Sequence, residues 1–254
     1  MWKPCLYNRS NQQFDHIDNI PQTVLSRLRV LNLAALSNPK PTKEPEPVFL
    51  IKTLEIENSF WTIAGLIRSN EKEIKENFLC YEGQIDFSLS ISSILQALED
   101  MACSSELIDL KIKQSNQELE QDWLKEIQPF STMLMSGQSV VFINKSHSMK
   151  STAELFERIL CTVPSSLSWR TSIQIGGTQQ EHPALTACHD ALYGAPIKTP
   201  WTKESSYSNV VQARKHPQES SMYLGEHYTK FLAEEVSNYK NCLVVKKYIN
   251  HHFG

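Results

Sequence analysis

A strand, a helix and a second strand follow one another within residues 137–176, and this order restricts the fold more than any other segment. The apolar run 140–143 is typical of a buried strand, and residues 169–175 form the second strand. Between them, Ser151 and Glu154 have the capping-box spacing that marks a helix start. Two strands joined by one helix normally lie parallel in one sheet, so we expect these strands to be neighbours in an α/β protein. The helix should bury its apolar residues spaced three and four apart, namely Leu155, Phe156, Ile159 and Leu160.

The first half of the chain predicts a small antiparallel sheet with helices. Two β-rich runs, 48–56 and 60–67, flank Glu57-Asn58-Ser59, whose residues are common in turns, so this segment is typical of a hairpin. Residues 78–81 favour another strand, and residues 84–128 favour helices. Asn19 could cap a first helix, with Pro21 in its first turn, and helical spacing predicts that Val24, Leu28 and Leu31 face inward. In a second helix the predicted inward face consists of Ile91, Ile94, Leu95, Leu98 and Met101. In a third helix it consists of Leu119, Trp123, Leu124 and Ile127.

The distribution of proline predicts two lobes. Four prolines within residues 38–47 forbid a helix and favour an extended connector. We therefore expect an N-terminal α/β lobe over 1–128, which contains this connector, and a C-terminal α/β lobe over 129–254 with the strand–helix–strand unit. After residue 178 the pattern becomes irregular until a helix predicted over 221–239. In that helix we expect Tyr228, Phe231 and Leu232 to face inward, and residues 243–249 form a last apolar segment after it.

The charge balance excludes some classes of function. The chain has 25 Lys and Arg residues against 28 Asp and Glu residues, a net charge of −3, and this argues against broad binding to nucleic acid. No apolar run approaches the ~20 residues that a membrane-spanning helix needs. Residues 68–126 are the acidic part, with 13 acidic and 6 basic side chains, and could present an acidic helical face to a basic partner.

The six cysteines indicate a reducing compartment. None lies two to four residues from another, so the spacing of a structural zinc site is missing and we predict no bound metal. The first residues lack the apolar core of a signal peptide, so we expect a cytoplasmic protein with unpaired, buried thiols.

One loop offers residues that could bind a phosphate. Residues 144–150 lie after a strand and before a helix, where α/β proteins place ligands and where backbone amides can bind an anion. The glycine-rich spacing of a phosphate loop is absent. The candidate cofactor-binding side chains are Lys145, Ser146, His147 and Ser148.

No catalytic residue is predicted. Cys188-His189-Asp190 contains a nucleophile and a base, but adjacent residues of an extended chain point apart, so we interpret this motif as loop packing. The sequence likewise lacks the spacing that marks hydrolase, kinase or metal-hydrolase sites, and no cofactor is expected.

The segment from Gly137 to Ser172 resembles the N-terminal domain of bacterial GTPase-associated proteins. Those proteins have an apolar strand, a leucine-rich helix and a strand of the Leu-Pro-Pro, Arg-Trp and Thr-Phe-Ser type, and here Pro164 and residues 169–172 match that outline. Residues 21–36 and the hairpin 48–67 are similar to that family's earlier elements. The family's arginine-rich turn after the hairpin is replaced here by Ser69-Asn70-Glu71-Lys72. The same central segment also resembles the core of DENN domains, which are exchange modules for Rab GTPases.

Both resemblances imply a GTPase as partner, and neither supplies a catalytic residue. We therefore expect a non-enzymatic regulatory or adaptor protein that binds another protein, with a small GTPase as the partner implied, in a bacterial conflict or signalling system. One alternative is an enzyme or nucleotide-binding protein that uses the loop 144–150. Another alternative is a bacterial effector secreted without a cleaved signal.

Overall fold

The computed structural model describes thirteen stretches of the chain, and the statements below concern these. Residues 38–46 of the predicted connector 38–47 lie outside them, as do the candidate residues Lys145, Ser146 and His147 and the residues His189 and Asp190. The described stretches are 1–17, 19–31, 47–70, 73–85, 90–103, 112–135, 139–143, 148–169, 171–176, 185–188, 202–204, 210–213 and 227–253.

The protein is a mixed α/β structure, as predicted, and a ten-stranded sheet forms its centre. The strands lie in the order β2-β1-β5-β4-β3-β7-β8-β6-β10-β9. The first five in this order pair antiparallel, β7, β8 and β6 are parallel to one another, and the remaining pairs are antiparallel. Their bounds are β1 Trp2–Asn8, β2 Gln13–Asp15, β3 Val48–Ile56, β4 Ser59–Asn70, β5 Glu73–Glu82, β6 Ser139–Ile143, β7 Ile173–Ile175, β8 Leu185–Cys188, β9 Thr202–Glu204 and β10 Val210–Ala213.

Helices cover both faces of the sheet. Side chains alternate along β3, so Val48 and Leu50 face the core under the first helix, whereas Phe49 and Ile51 face the larger core under the other helices. The helices are α1 Gln22–Leu31, α2 Ile91–Cys103, α3 Trp123–Met135, α4 Met149–Cys161, α5 Ser165–Ser168 and α6 Cys242–Phe253. Before α6, residues 227–231 are helical and continue into a π-helix, Leu232–Val236.

The hairpin of β3 and β4 confirms the prediction for residues 48–67. The register runs from Val48 opposite Ile67 to Ile56 opposite Ser59, which leaves a two-residue turn. Both turn residues have positive φ, 51° at Glu57 and 63° at Asn58, as the type I′ turn of a tight hairpin requires. The strand predicted at 78–81 is also confirmed, as part of β5.

The apolar spacing predicted the buried helix faces well. Residues Ile91, Ile94, Leu95 and Leu98 of α2 are buried, and Met101 packs against the same core. In α1, Val24 and Leu28 are buried and Leu31 packs against their core. In α4 and the helices near the C-terminus, the buried predicted residues are Phe156, Ile159, Leu160, Tyr228 and Leu232, with Leu155 and Phe231 half-buried at the edge.

The prediction that the strands at 140–143 and 169–175 are neighbours is wrong. They are parallel, but β8 lies between them: Leu185 pairs with Val140 on one side and with Ile173 on the other. The connection through α4 therefore joins two strands that are not adjacent in the sheet, and β8, from later in the chain, lies between them. The second strand is also shorter than predicted, because α5 occupies 165–168 and β7 begins only at Ile173.

Three local predictions also need correction. The helix predicted from Ser151 begins earlier, and Ser148 rather than Ser151 caps it: the Ser148 hydroxyl accepts a hydrogen bond from the Ser151 amide at 3.1 Å. Asn19 does not cap α1, since its φ is 62° and the first helical hydrogen bonds go to the Pro21 carbonyl. Residues 112–120, which include the predicted helical residue Leu119, are not helical.

The acidic segment 68–126 is not one helical face. Its first part belongs to β4 and β5, and Glu76 within β5 is fully buried. Arg9 at the end of β1 forms an ion pair with Glu76, with 2.6 Å between Nε and Oε1. This carboxylate is therefore withdrawn from any surface that a basic partner could meet.

The predicted lobe boundary between residues 128 and 129 lies inside α3. The larger core combines side chains from both predicted lobes, such as Phe49 and Leu98 with Phe156 and Ile249. The sheet also continues across the division, because β3 pairs with β7. The two predicted lobes thus share one sheet and the larger core. No helix in the described stretches has both the length and the apolar character needed to cross a membrane.

Candidate functional site

Aromatic rings gather on α6 and on the segment before it. We call the rings of Phe231, Tyr239, Tyr248, His252 and Phe253 the aromatic surface. The Phe231 ring lies 4.8 Å from Phe253 and 6.2 Å from Tyr248, measured between ring centroids. Tyr248 in turn lies 5.1 Å from Tyr239 and 4.5 Å from His252. Each ring therefore contacts at least one other, and the five form a continuous patch.

Tyr228 supports the aromatic surface from below. It is buried, its ring lies 5.4 Å from Phe253, and its hydroxyl donates a hydrogen bond to the carbonyl of Thr162. Burial raises the pKa of Tyr228 well above its ordinary value, so the phenol remains a neutral donor. The indole Nε1 of Trp123 donates to the Tyr239 carbonyl at 2.9 Å. The patch thus rests on α3 and on the end of α4.

The outer part of the aromatic surface is exposed to solvent. Phe253 is 42% exposed, and Val244, one turn before Tyr248 on α6, is 46% exposed. Positions 244, 248 and 252 lie four apart, so they form one stripe along the helix. Tyr248 is held in place because its hydroxyl donates to a Glu235 carboxylate oxygen at 3.1 Å. Partial burial and this hydrogen bond raise the pKa of Tyr248.

A buried carboxylate, Glu157 on α4, forms a polar cluster apart from the aromatic surface. One carboxylate oxygen accepts hydrogen bonds from the hydroxyls of Ser90 and Ser92, each at 3.0 Å, and the other accepts from Ser115. The group is 3% exposed and its oxygens are occupied by donors. We interpret this cluster as a structural joint between α4, the start of α2 and the segment near Ser115, because a substrate would have to displace three hydroxyls to reach it.

Lys246 on α6 is a third buried polar group. Its Nζ donates to the carbonyl oxygens of Leu160 at 3.2 Å and Val163 at 2.5 Å, and to the Ser168 hydroxyl at 3.2 Å. Carbonyl groups at a helix end lack partners within the helix, and a cation there is also favoured by the helix dipole. Lys246 therefore caps the C-terminus of α4.

Of the candidate phosphate-binding side chains, Ser148 alone lies in the described stretches, and the last two residues of the predicted loop, Met149 and Lys150, begin α4. The Ser148 hydroxyl accepts from the Ser151 amide, and the Ser151 hydroxyl donates to the Ser148 carbonyl at 2.9 Å. Ser148 therefore acts as a helix cap, and this use competes with binding an anion.

The two strands that precede the loop motifs in sequence end at one edge of the sheet. Ile143, the last residue of β6, pairs with Cys188, the last residue of β8, in parallel register. The predicted loop 144–150 and the pair His189-Asp190 follow these residues directly in sequence. The carboxyl edge of parallel strands is the usual ligand position in α/β sheets.

Sequence reasoning missed the aromatic surface and the buried Glu157 and Lys246. A signal for the aromatic surface existed, because Tyr, Phe and His recur through residues 228–253 and positions 244, 248 and 252 share a helical stripe. No comparable signal marked Glu157 or Lys246, since both stand in ordinary amphipathic patterns.

The comparisons with known proteins add no relative. No family model, curated protein or solved structure matches the chain. Within the described stretches, no three His, Cys, Asp or Glu side chains lie close enough together to hold a metal ion.

Proposed function

We propose that this protein is a non-enzymatic regulatory or adaptor protein that binds another protein through the aromatic surface. The observation that carries the proposal is the patch of five mutually contacting rings, part of which is open to solvent. Aromatic side chains are enriched at the centres of protein interfaces, where they contribute much of the binding energy.

The packing beneath the patch also supports this proposal. The patch is held from below by Tyr228 and Trp123, so its rings are ordered before a partner arrives. An ordered surface loses less conformational entropy on binding than a mobile one. Lys247 and His251 are exposed on the same helix, so the rim of the patch is polar.

The class of partner comes from the sequence resemblance. The strand–helix–strand segment is similar to proteins that act with small GTPases, and we propose a small GTPase in a bacterial conflict or signalling system as the partner. The predicted cytoplasmic location belongs to the same proposal.

The experiment compares tagged wild-type protein with a double variant, His252→Ala with Phe253→Ala, as baits in a native lysate. Val30→Ala is the matched control, because Val30 is 76% exposed on α1, on the opposite face of the sheet. A captured small GTPase is then purified, and its Kd for each bait is measured in the GDP form and with a non-hydrolysable GTP analogue.

We expect the double variant to weaken binding at least about tenfold, which corresponds to the loss of about 1.4 kcal/mol at an interface centre. The control should bind like the wild type. Capture of no GTPase would overturn the proposed partner class. Equal Kd values for the wild type and the double variant would overturn the proposed surface.

A second candidate function is nucleotide binding at the carboxyl edge of β6 and β8. The observation that favours it is the parallel pairing of Ile143 with Cys188, after which the two polar loop motifs follow. Titration with ATP and GTP by calorimetry tests this candidate. Saturable binding that Lys145→Ala with His147→Ala removes would support it, and the absence of heat at millimolar nucleotide would contradict it.

A further inference from the structure

Glu235 is an exposed carboxylate beside the aromatic surface. It lies in the π-helix Leu232–Val236, and π-helices are rare elements that often occur at functional sites. One of its oxygens accepts the hydrogen bond of 3.1 Å from the Tyr248 hydroxyl, so the carboxylate is held against the rings. The neighbouring Glu234 pairs with Lys230 at 3.8 Å, whereas none of the ion pairs among the described residues involves Glu235. Glu235 therefore adds a fixed negative charge that no described cation pairs with.

The rings next to Glu235 offer faces that attract a cation. Tyr248 and Tyr239 are half-buried, so part of each ring is open to solvent. The face of a tyrosine ring is electron-rich and attracts a cation that lies within about 6 Å of the ring centroid. The centroids of Tyr239 and Tyr248 are 5.1 Å apart, so one cation can lie within that distance of both. A carboxylate and two electron-rich rings thus meet at one place on the surface.

We propose that the aromatic surface binds an arginine side chain of the partner protein, which stacks on Tyr239 and Tyr248 and pairs with Glu235. This inference rests on the proposed function and specifies the chemistry that the partner presents. A guanidinium is planar, so it can stack on a ring while its N–H groups donate to a carboxylate, whereas a lysine ammonium is a compact and strongly hydrated charge. Arginine and tyrosine are also enriched among the residues that dominate the binding energy of interfaces.

The other charges near the rings restrict this cation site to Glu235. Lys247 is exposed on α6, and Lys240 is exposed just before that helix. These two cations favour acidic groups of the partner in their own vicinity. We therefore expect one arginine at Glu235 rather than a uniformly basic partner.

The experiment needs no partner protein. The full chain, labelled with ¹⁵N, is titrated with N-acetylarginine amide, and the amide resonances of residues 231–253 are followed by NMR. N-acetylcitrulline amide is the matched probe, because its urea group has the planar shape of a guanidinium without the charge. N-acetylaspartate amide tests whether the same rings prefer an anion. The variant is Glu235→Gln, and Glu234→Gln is its control, because both remove one negative charge from the same π-helix.

We expect saturable shifts with the arginine probe at millimolar concentration and no saturable shifts with citrulline. Glu235→Gln should raise the Kd of the arginine probe at least about threefold, since an exposed ion pair is lost, and Glu234→Gln should bind it like the wild type. Circular dichroism checks that both variants are folded, and the comparison of arginine with citrulline uses the wild type alone.

Three results would overturn the inference: no saturable shifts with arginine, equal binding of arginine and citrulline, or tighter binding of the aspartate probe. Equal Kd values for the two glutamate variants would also overturn it. If the arginine probe fails while the His252/Phe253 double variant loses its partner, only the arginine site is wrong. If the probe binds and the lysate comparison fails, only the proposed function is wrong.

Discussion

The carboxylate of Glu157 on α4 accepts a hydrogen bond of 3.0 Å from the hydroxyl of Ser90, which itself caps α2 by accepting from the Ser93 amide at 3.1 Å. One acidic side chain thus sets the start of a neighbouring helix. A carboxylate near a helix N-terminus is also favoured by the helix dipole, which helps to explain how a carboxyl group is accommodated in this core.

Glu157→Ala should lower the free energy of unfolding by roughly 2–4 kcal/mol, because buried hydroxyls lose their acceptor and a cavity remains. Glu154→Ala is the matched control, one turn earlier on α4 and half-exposed, and should change stability by less than about 0.5 kcal/mol. Urea unfolding followed by circular dichroism measures both values. Equal losses in the two variants would contradict the role assigned to Glu157.

Lys246→Met should be destabilising although it replaces a charge with an apolar group of similar length. The Val163 carbonyl loses the Lys246 donor, at a cost on the order of 1–3 kcal/mol for a buried group left unpaired, whereas the Leu160 carbonyl keeps its bond from the Val163 amide. Lys247→Met, at the exposed next position, is the control and should be nearly neutral. If the Lys246 variant proved as stable as the wild type, the capping role would be wrong.

Phe156→Ala should lower the free energy of unfolding by about 3–5 kcal/mol, the usual loss for a buried aromatic ring. Phe156 is fully buried in the core that α4 shares with the sheet. Leu167→Ala is a suitable comparison, because Leu167 is partly exposed on α5 and should cost much less. Thermal unfolding of both variants gives the comparison, and a Phe156 variant that melts with the wild type would contradict the packing.

Stability should fall at alkaline pH, in part because of Cys5. Burial, with a smaller effect of the Asp15 charge, raises the pKa of its thiol from 9.0 to about 12. The unfolded thiol therefore loses its proton above pH 9 while the folded thiol keeps it. The contribution is fully present below pH 9 and declines by about 1.4 kcal/mol per pH unit until the folded pKa is reached.

Between about pH 9 and 10, the free energy of unfolding of Cys5→Ala should accordingly fall less steeply with pH than that of the wild type, by about 1.4 kcal/mol per pH unit. Cys103→Ala is the control, since Cys103 is exposed, and it should leave the slope unchanged. Urea unfolding at a series of pH values tests this expectation. If the free energy of unfolding fell equally steeply with pH in the wild type and in the Cys5 variant, burial would not raise the pKa of the Cys5 thiol.

Local patterns predicted much of this fold, because their causes are local. The hairpin turn follows in part from Asn58, a residue type that tolerates positive φ, and the α2 face follows from apolar spacing. The position of β8 between β6 and β7 could not be predicted in this way. That position depends on pairing with residues far along the chain, which no window of sequence contains.

The candidate site was less predictable for the same reason. The aromatic surface combines Phe231 and Tyr239 with Tyr248 and Phe253, so it exists only once α6 packs beside the π-helix segment. The capping role of Lys246 depends on carbonyls in another helix, and sequence showed only a lysine within an apolar segment. Ser148, one of the candidate cofactor-binding residues, caps α4, because the helix starts earlier than the capping-box pattern indicated.

The position of β8 also has a consequence for synthesis of the chain on the ribosome. The antiparallel strands β1 to β5 pair within the first third of the sequence, so they can form early. Strands β6 and β7 remain without their shared neighbour until residues 185–188 have left the exit tunnel. During this interval the nascent chain carries one unpaired edge of β7 and both edges of β6, whose other neighbour β10 is made later still. The chain is then most open to misassociation and to capture by chaperones.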